Sequence, residues 1–182
     1  MKIHCGICVL FFFIACSSVS ETNWSFLPAV ENSWDTVKTY GGSAEDIAHA
    51  IISTNDGGFA IVGNTQSTDG DFSEKIRVGS DLFLMKFTEI GTLEWTRTYG
   101  GSEDDRGHDL VQLPDGGFAV VGYSKSSDGD ASVNKGQHDN WVFRTDASGT
   151  LLWEKSFGFL GHDHAYNIIT TSDGGLFFNG FL

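Results

Sequence analysis

The 182-residue sequence predicts an all-β fold built from repeated units of four antiparallel strands. Two observations carry that prediction. The phrase Asp-Gly-Gly recurs at residues 56, 115 and 173, each time between apolar runs. Residues 41–63 also match 100–122 without a gap at twelve of 23 positions. A period near 60 residues that holds several short strands is the mark of a blade-like β array rather than a helical solenoid.

Within one period, four strands are expected. The first is DIAHAIIS (46–53); its Ile47, Ile51 and Ile52 also suit a short helix, but the following hairpin signal favours a strand. That signal is the Asp-Gly pair, where the turn needs a positive φ that glycine adopts freely. The second strand is GFAIVGN (58–64). The third, DLFLMKF (81–87), is apolar on both faces and so belongs in the middle of a sheet. The fourth, TLEWTRTY (92–99), alternates and suits an outer position. Residues 34–40 are expected as a lone strand of the fourth type, and HAYNIITT with GLFFNGF as the first two strands of a third copy. The chain thus divides into repeats near 34–99, 100–157 and 158–182, about two and a half β-propeller-type blades. Closed propellers have about four to eight. The sequence therefore reads as truncated, with self-association into a ring or a small open sheet as the alternatives.

The first 16 residues, MKIHCGICVLFFFIAC, stand apart. Lys2 and an apolar run from Ile7 to Ala15 fit the core of a signal peptide and are too short for a stable membrane span. All three cysteines (5, 8 and 16) fall here, leaving none for a disulfide or a thiolate metal site in the body. FIAC resembles the lipobox of bacterial lipoproteins, although Phe13 replaces the usual aliphatic residue. The resemblance implies a signal peptide at 1–15, lipid attachment at Cys16, a polar tether at 16–33, and an outer-membrane or cell-surface location. A soluble secreted form cut beyond Cys16 is the alternative. The net charge of −13 repels phosphate backbones, so nucleic acid is not an expected partner.

The run of TYGGS, DGGF, SxDGD and DxWV resembles the repeats of surface β-propeller lipoproteins of Bacteroidetes-like bacteria, over residues 34–182. It implies a secreted or outer-surface repeat protein. The third copy departs, with GFLGHDH (158–164) in place of GGSEDDR. DASGTLLW (146–153) is similar to the tryptophan-docking motif of quinoprotein dehydrogenases. A structural account covers both of its marked residues: Gly149 makes a hairpin and Trp153 packs between blades.

Four sets of residues are candidates for chemistry. Asp69 and Asp71, with Asp128 and Asp130, sit one residue apart around a glycine turn, a pattern that suits either calcium or simple turn formation. Asp46, Asp105 and Asp163 hold one repeat position and are expected to accept loop N–H bonds. His49, His108 and Tyr166 share a position on the first strands, which would line a channel. With Asp46, Asp105, His162, Asp163 and His164 nearby, a metal or acid–base site competes there with packing, and packing or channel lining is preferred. Trp95, Trp141 and Trp153 fit an inter-blade core better than a sugar groove. The sequence-level reading is a lipid-anchored, non-catalytic surface binding or scaffold module for a protein or glycan, with recognition in the loops 66–80 and 125–138. The alternatives are part of a carbohydrate-active enzyme and a calcium-stabilised structural repeat.

Overall fold

The structure is a computed structural model that describes residues 37–182. The expected signal peptide, the expected lipid-attachment site at Cys16 and the expected tether lie outside the described residues. Among the described residues, ten strands form three antiparallel sheets. In the first, β1 (Asp46–Ser53), β2 (Phe59–Thr65), β3 (Asp81–Phe87) and β4 (Leu93–Tyr99) lie in chain order. The second repeats that order with β5 (Asp105–Gln112), β6 (Phe118–Ser124), β7 (Asp139–Thr145) and β8 (Leu151–Phe157). The third is the hairpin of β9 (His164–Thr170) and β10 (Leu176–Phe181). Ile47, Ile51 and Ile52 are therefore on a strand. The expected fourth-type strand at 34–40 is not paired over 37–40, and its earlier residues lie outside the described part.

The hairpins form where the sequence places them. Gly57, Gly116 and Gly174 have φ of 85°, 85° and 82°, in the region that excludes most L side chains. Each Asp of the DGG phrase locks its own turn. Asp56 accepts Gly58 N–H at 3.1 Å, Asp115 accepts Gly117 N–H at 3.2 Å, and Asp173 accepts Gly175 N–H at 3.2 Å. Asp56 also accepts Lys86 Nζ at 2.7 Å, and Asp115 pairs with Arg144.

The sheets stack face to face in chain order and do not close on themselves. Period-two alternation decides which side chains fill each gap. Ala60, Val62, Leu82 and Leu84 of the first sheet meet Leu110, Phe118, Val120, Trp141 and Phe143 of the second. The other face of the second sheet sets Ala119, Val121 and Val142 against Ala165 and Ile168 of β9. On the outer face of the first sheet, Phe83, Met85 and Phe87 are covered by Tyr40 and Phe72.

One clasp recurs at the start of each sheet. Asp46 accepts Gly42 N–H at 2.8 Å, Thr65 Oγ1–H at 2.5 Å and Ser67 Oγ–H at 2.9 Å. Asp105 accepts Gly101 N–H at 2.8 Å and Ser126 Oγ–H at 2.7 Å, and also Ser124 Oγ–H. Asp163 accepts Phe159 N–H at 2.7 Å. A buried carboxylate used this way leaves few loop donors unpaired. A tyrosine adds a second tie: Tyr40 Oη–H donates to Gly91 O at 3.0 Å and Tyr99 Oη–H to Gly149 O at 2.5 Å.

The tryptophans divide. Trp141 is fully buried between sheets, and Trp95 meets Phe118 edge-on at 6.0 Å. Trp153 does not pack between sheets as expected and stays 38% exposed. Its counterpart Trp95 faces a full four-stranded sheet, whereas the two-stranded hairpin after β8 lies over β5, β6 and β7. Among the described residues no helix is long and apolar enough to cross a membrane.

Candidate functional site, a histidine and aromatic face

The first strand of each sheet carries a β-bulge at one repeat position. In β1 the ladder passes from Ala48, paired with Gly63, to Ala50, paired with Val62, which leaves His49 extra. His108 is the extra residue in β5, between Gly107 and Asp109. Tyr166 fills the same place in β9, between Ala165 and Asn167. The bulge needs glycine opposite it. A Cβ on Gly63 would lie 1.9 Å from Ile47 O, and one on Gly122 would lie 1.8 Å from Arg106 O. Bulges re-aim side chains, and here the three face one another. His49 meets His108 edge-on at 5.4 Å, and His108 stacks on Tyr166 at 5.3 Å.

Around the second and third members the face widens. Tyr123 stacks on His138 at 4.4 Å and on His164 at 4.3 Å, and Phe181 lies 5.3 Å from His164. All five described histidines belong to this face. Carbonyl and amide partners set two proton positions. His49 donates from Nε2 to Asn64 Oδ1 at 2.9 Å, and His108 donates from Nδ1 to Ala165 O at 2.8 Å. Burial is the main cause that holds His108, His138 and His164 below the ordinary imidazole value, with neighbouring histidines adding to it; His164 falls to about 4. These three are therefore neutral at neutral pH.

His138, His162 and His164 come closer still. Each offers one ring nitrogen, and the three atoms lie within 4.8 Å of one another. His138 Nδ1 is 2.8 Å from His164 Nε2 and 3.0 Å from His162 Nδ1. Sequence reasoning named His162 and His164 but missed His138, as it missed Tyr123 and Phe181. The available signal was the dipeptide His-Asp, which occurs at 138–139 and again at 162–163. Asp139 and Asp163 both close on Gly158, where a Cβ would meet their carboxylates at 2.5 and 2.6 Å, so the residue before each is brought together.

The loop aspartates lie elsewhere and hold backbone. Asp69 accepts Ser43 N–H at 2.7 Å, and Asp71 accepts Gly41 N–H at 2.7 Å. Asp128 accepts Ser102 N–H at 2.8 Å, and Asp130 accepts Gly100 N–H at 3.1 Å and Arg77 at 3.2 Å. Calcium takes about six to eight oxygens. The structure does not gather these four carboxylates with the histidine trio. Near the DGG turns, Trp95 borders a cleft of about 360 Å³ with Asp56 and Glu94, and both carboxylates are tied to Lys86, at 2.7 and 2.8 Å.

These features define an all-β repeat protein with an ordered histidine and aromatic face at the first strands of its sheets. No protein-family profile matches the chain. It is similar to the regulatory protein FlaEY of Caulobacter vibrioides, 25% identical over 158 residues, which is 79% of this chain. The chain spans 16% of that protein's length.

Proposed function

We propose that this chain is an extracytoplasmic, lipid-anchored repeat protein whose sheets are β-propeller-type blades and which acts as a non-catalytic binding or scaffold module. The observation that carries the reading is the recurrence of one clasp: Asp46 at the start of the first sheet and Asp105 at the start of the second accept equivalent glycine amides, of Gly42 and Gly101, at 2.8 Å. A rigid stack of this kind gives its loops a fixed base. The β2–β3 loop is itself anchored, since Lys75 Nζ donates to Arg77 O at 2.7 Å and Gly79 O at 2.8 Å. Between those anchors Ile76 and Val78 are 90% and 83% exposed, and Val133 is exposed on the equivalent β6–β7 loop. Apolar side chains held outward on fixed loops suit contact with a protein or glycan. The anchor at Cys16 would supply the membrane contact.

Two measurements on the full chain test this. An alkyne-bearing fatty acid fed to expressing bacteria is expected to label the wild-type protein and not the Cys16→Ser variant. Equal labelling of both, or none of either, counts against the anchor. On a glycan array, binding that Ile76→Asp with Val78→Asp abolishes supports loop recognition, whereas release of sugar from bound glycans would make the protein an enzyme.

A further inference from the structure

We propose that His138, His162 and His164 form a binding site for a divalent transition-metal ion of the zinc class, at the joint between the second sheet and the β9–β10 hairpin. The inference goes beyond the module reading and does not depend on it.

The first argument is the geometry of the nitrogens. His138 Nδ1 approaches both His164 Nε2, at 2.8 Å, and His162 Nδ1, at 3.0 Å. An imidazole nitrogen has one in-plane direction, for a proton or for a lone pair. It cannot make good hydrogen bonds to two other rings at once. A cation resolves the conflict by accepting one lone pair from each ring. Bonds of about 2.0–2.1 Å in a tetrahedron set ligand nitrogens roughly 3.3 Å apart, so small ring movements fit the trio to an ion. An all-imidazole set suits zinc, copper or nickel better than calcium or magnesium.

A comparison of the two joints supplies the second argument. At the joint of the first and second sheets, Ser80, Asp104 and Arg106 stand where His138, His162 and His164 stand at the next. The backbone closes both joints alike: Asp105 N–H donates to Ser80 O at 2.7 Å, and Asp163 N–H to His138 O at 2.8 Å. The fold therefore does not require histidine at these positions. Residues 138 and 162 also form a parallel bridge, which holds two of the rings in place before any ion arrives. Nearby charge is mixed, with Asp104 and Asp163 opposing Lys125 and Arg106. His162 is exposed, which leaves a fourth coordination position open to solvent or to an incoming ligand.

The test uses the full chain with Cys5, Cys8 and Cys16 changed to Ser, which removes competing thiolates. After chelation and dialysis, Zn²⁺ is expected to bind at one ion per chain and to raise the melting temperature. Co²⁺ is expected to give the visible bands of a nitrogen-ligated, low-coordinate site. His162→Ala, which removes one ligand, and His138→Ser, which carries the residue of the other joint, are expected to weaken Zn²⁺ about tenfold or more. His49→Gln, outside the trio, is expected to bind as the parent does. His162 is exposed, so its variant keeps the fold and decides the matter even where His138→Ser does not. Absence of Zn²⁺ binding by the parent, affinity unchanged in His162→Ala, or an equal loss in His49→Gln would overturn the site.

Discussion

Asp81 shows how far burial moves a single group. It is 1% exposed, neither carboxylate oxygen has a hydrogen-bond partner, and the Lys75 ammonium stands 3.9 Å away. Burial pushes its pKa up to about 7 from 3.8; Lys75 pulls the other way, and the neighbouring Asp105 adds to the rise. Between those values the folded protein holds a proton that the unfolded chain does not. Stability from this group is therefore present at low pH and lost as pH rises through about 7. Urea melts should show the wild-type advantage over Asp81→Asn shrinking as pH rises across that window. A difference that stays constant would show an ordinary carboxyl. Asp81 and Asp139 hold equivalent positions 58 residues apart in the sequence, but the shift is not written there. It depends on which groups the fold sets beside the carboxylate.

At the scale of elements, the bulge is the device that makes the candidate face. Without it, period two would put position 49 or 108 in register with its partner strand and send its side chain to a sheet face. Gly122 is what permits the bulge in β5, because its missing Cβ leaves room for Arg106 O. Gly122→Ala is expected to cost about 1–3 kcal/mol through forced backbone movement. It should also shift the His108 ring resonances in NMR, and destabilisation with those resonances unmoved would separate the bulge from the placement of His108. The hairpins, by contrast, were legible in order and type, because Asp-Gly-Gly supplies the turn geometry and its capping hydrogen bond within a few residues. The lone strand expected at 34–40 failed over 37–40 because strand pattern cannot supply a pairing partner. Tyr40 keeps the outer-strand role all the same, packing edge-on to Phe87 at 4.9 Å.

For the whole molecule, stability rests on the contact between sheets. Trp141 lies at the centre of the larger joint, packed on Phe143 at 4.8 Å and donating from Nε1 to Glu154 Oε2 at 3.0 Å. Trp141→Ala is expected to cost about 3–5 kcal/mol. In thermal or urea unfolding both four-stranded sheets should lose cooperativity together. Loss confined to one sheet would mean that they fold as separate units.

The sequence by itself determined the strands, their hairpins, the four-strand period and the aspartate clasp, since each is written in local pattern and repeated. Only the tertiary structure decided that His138 meets His162 and His164 across 24 and 26 residues, and that His49, His108 and Tyr166 face one another across three sheets. The physical reason is that hairpin signals act through neighbouring backbone, whereas the site forms where separate sheets stack. Which residues meet there is set by bulge, register and burial together, and no short stretch of the chain contains all three.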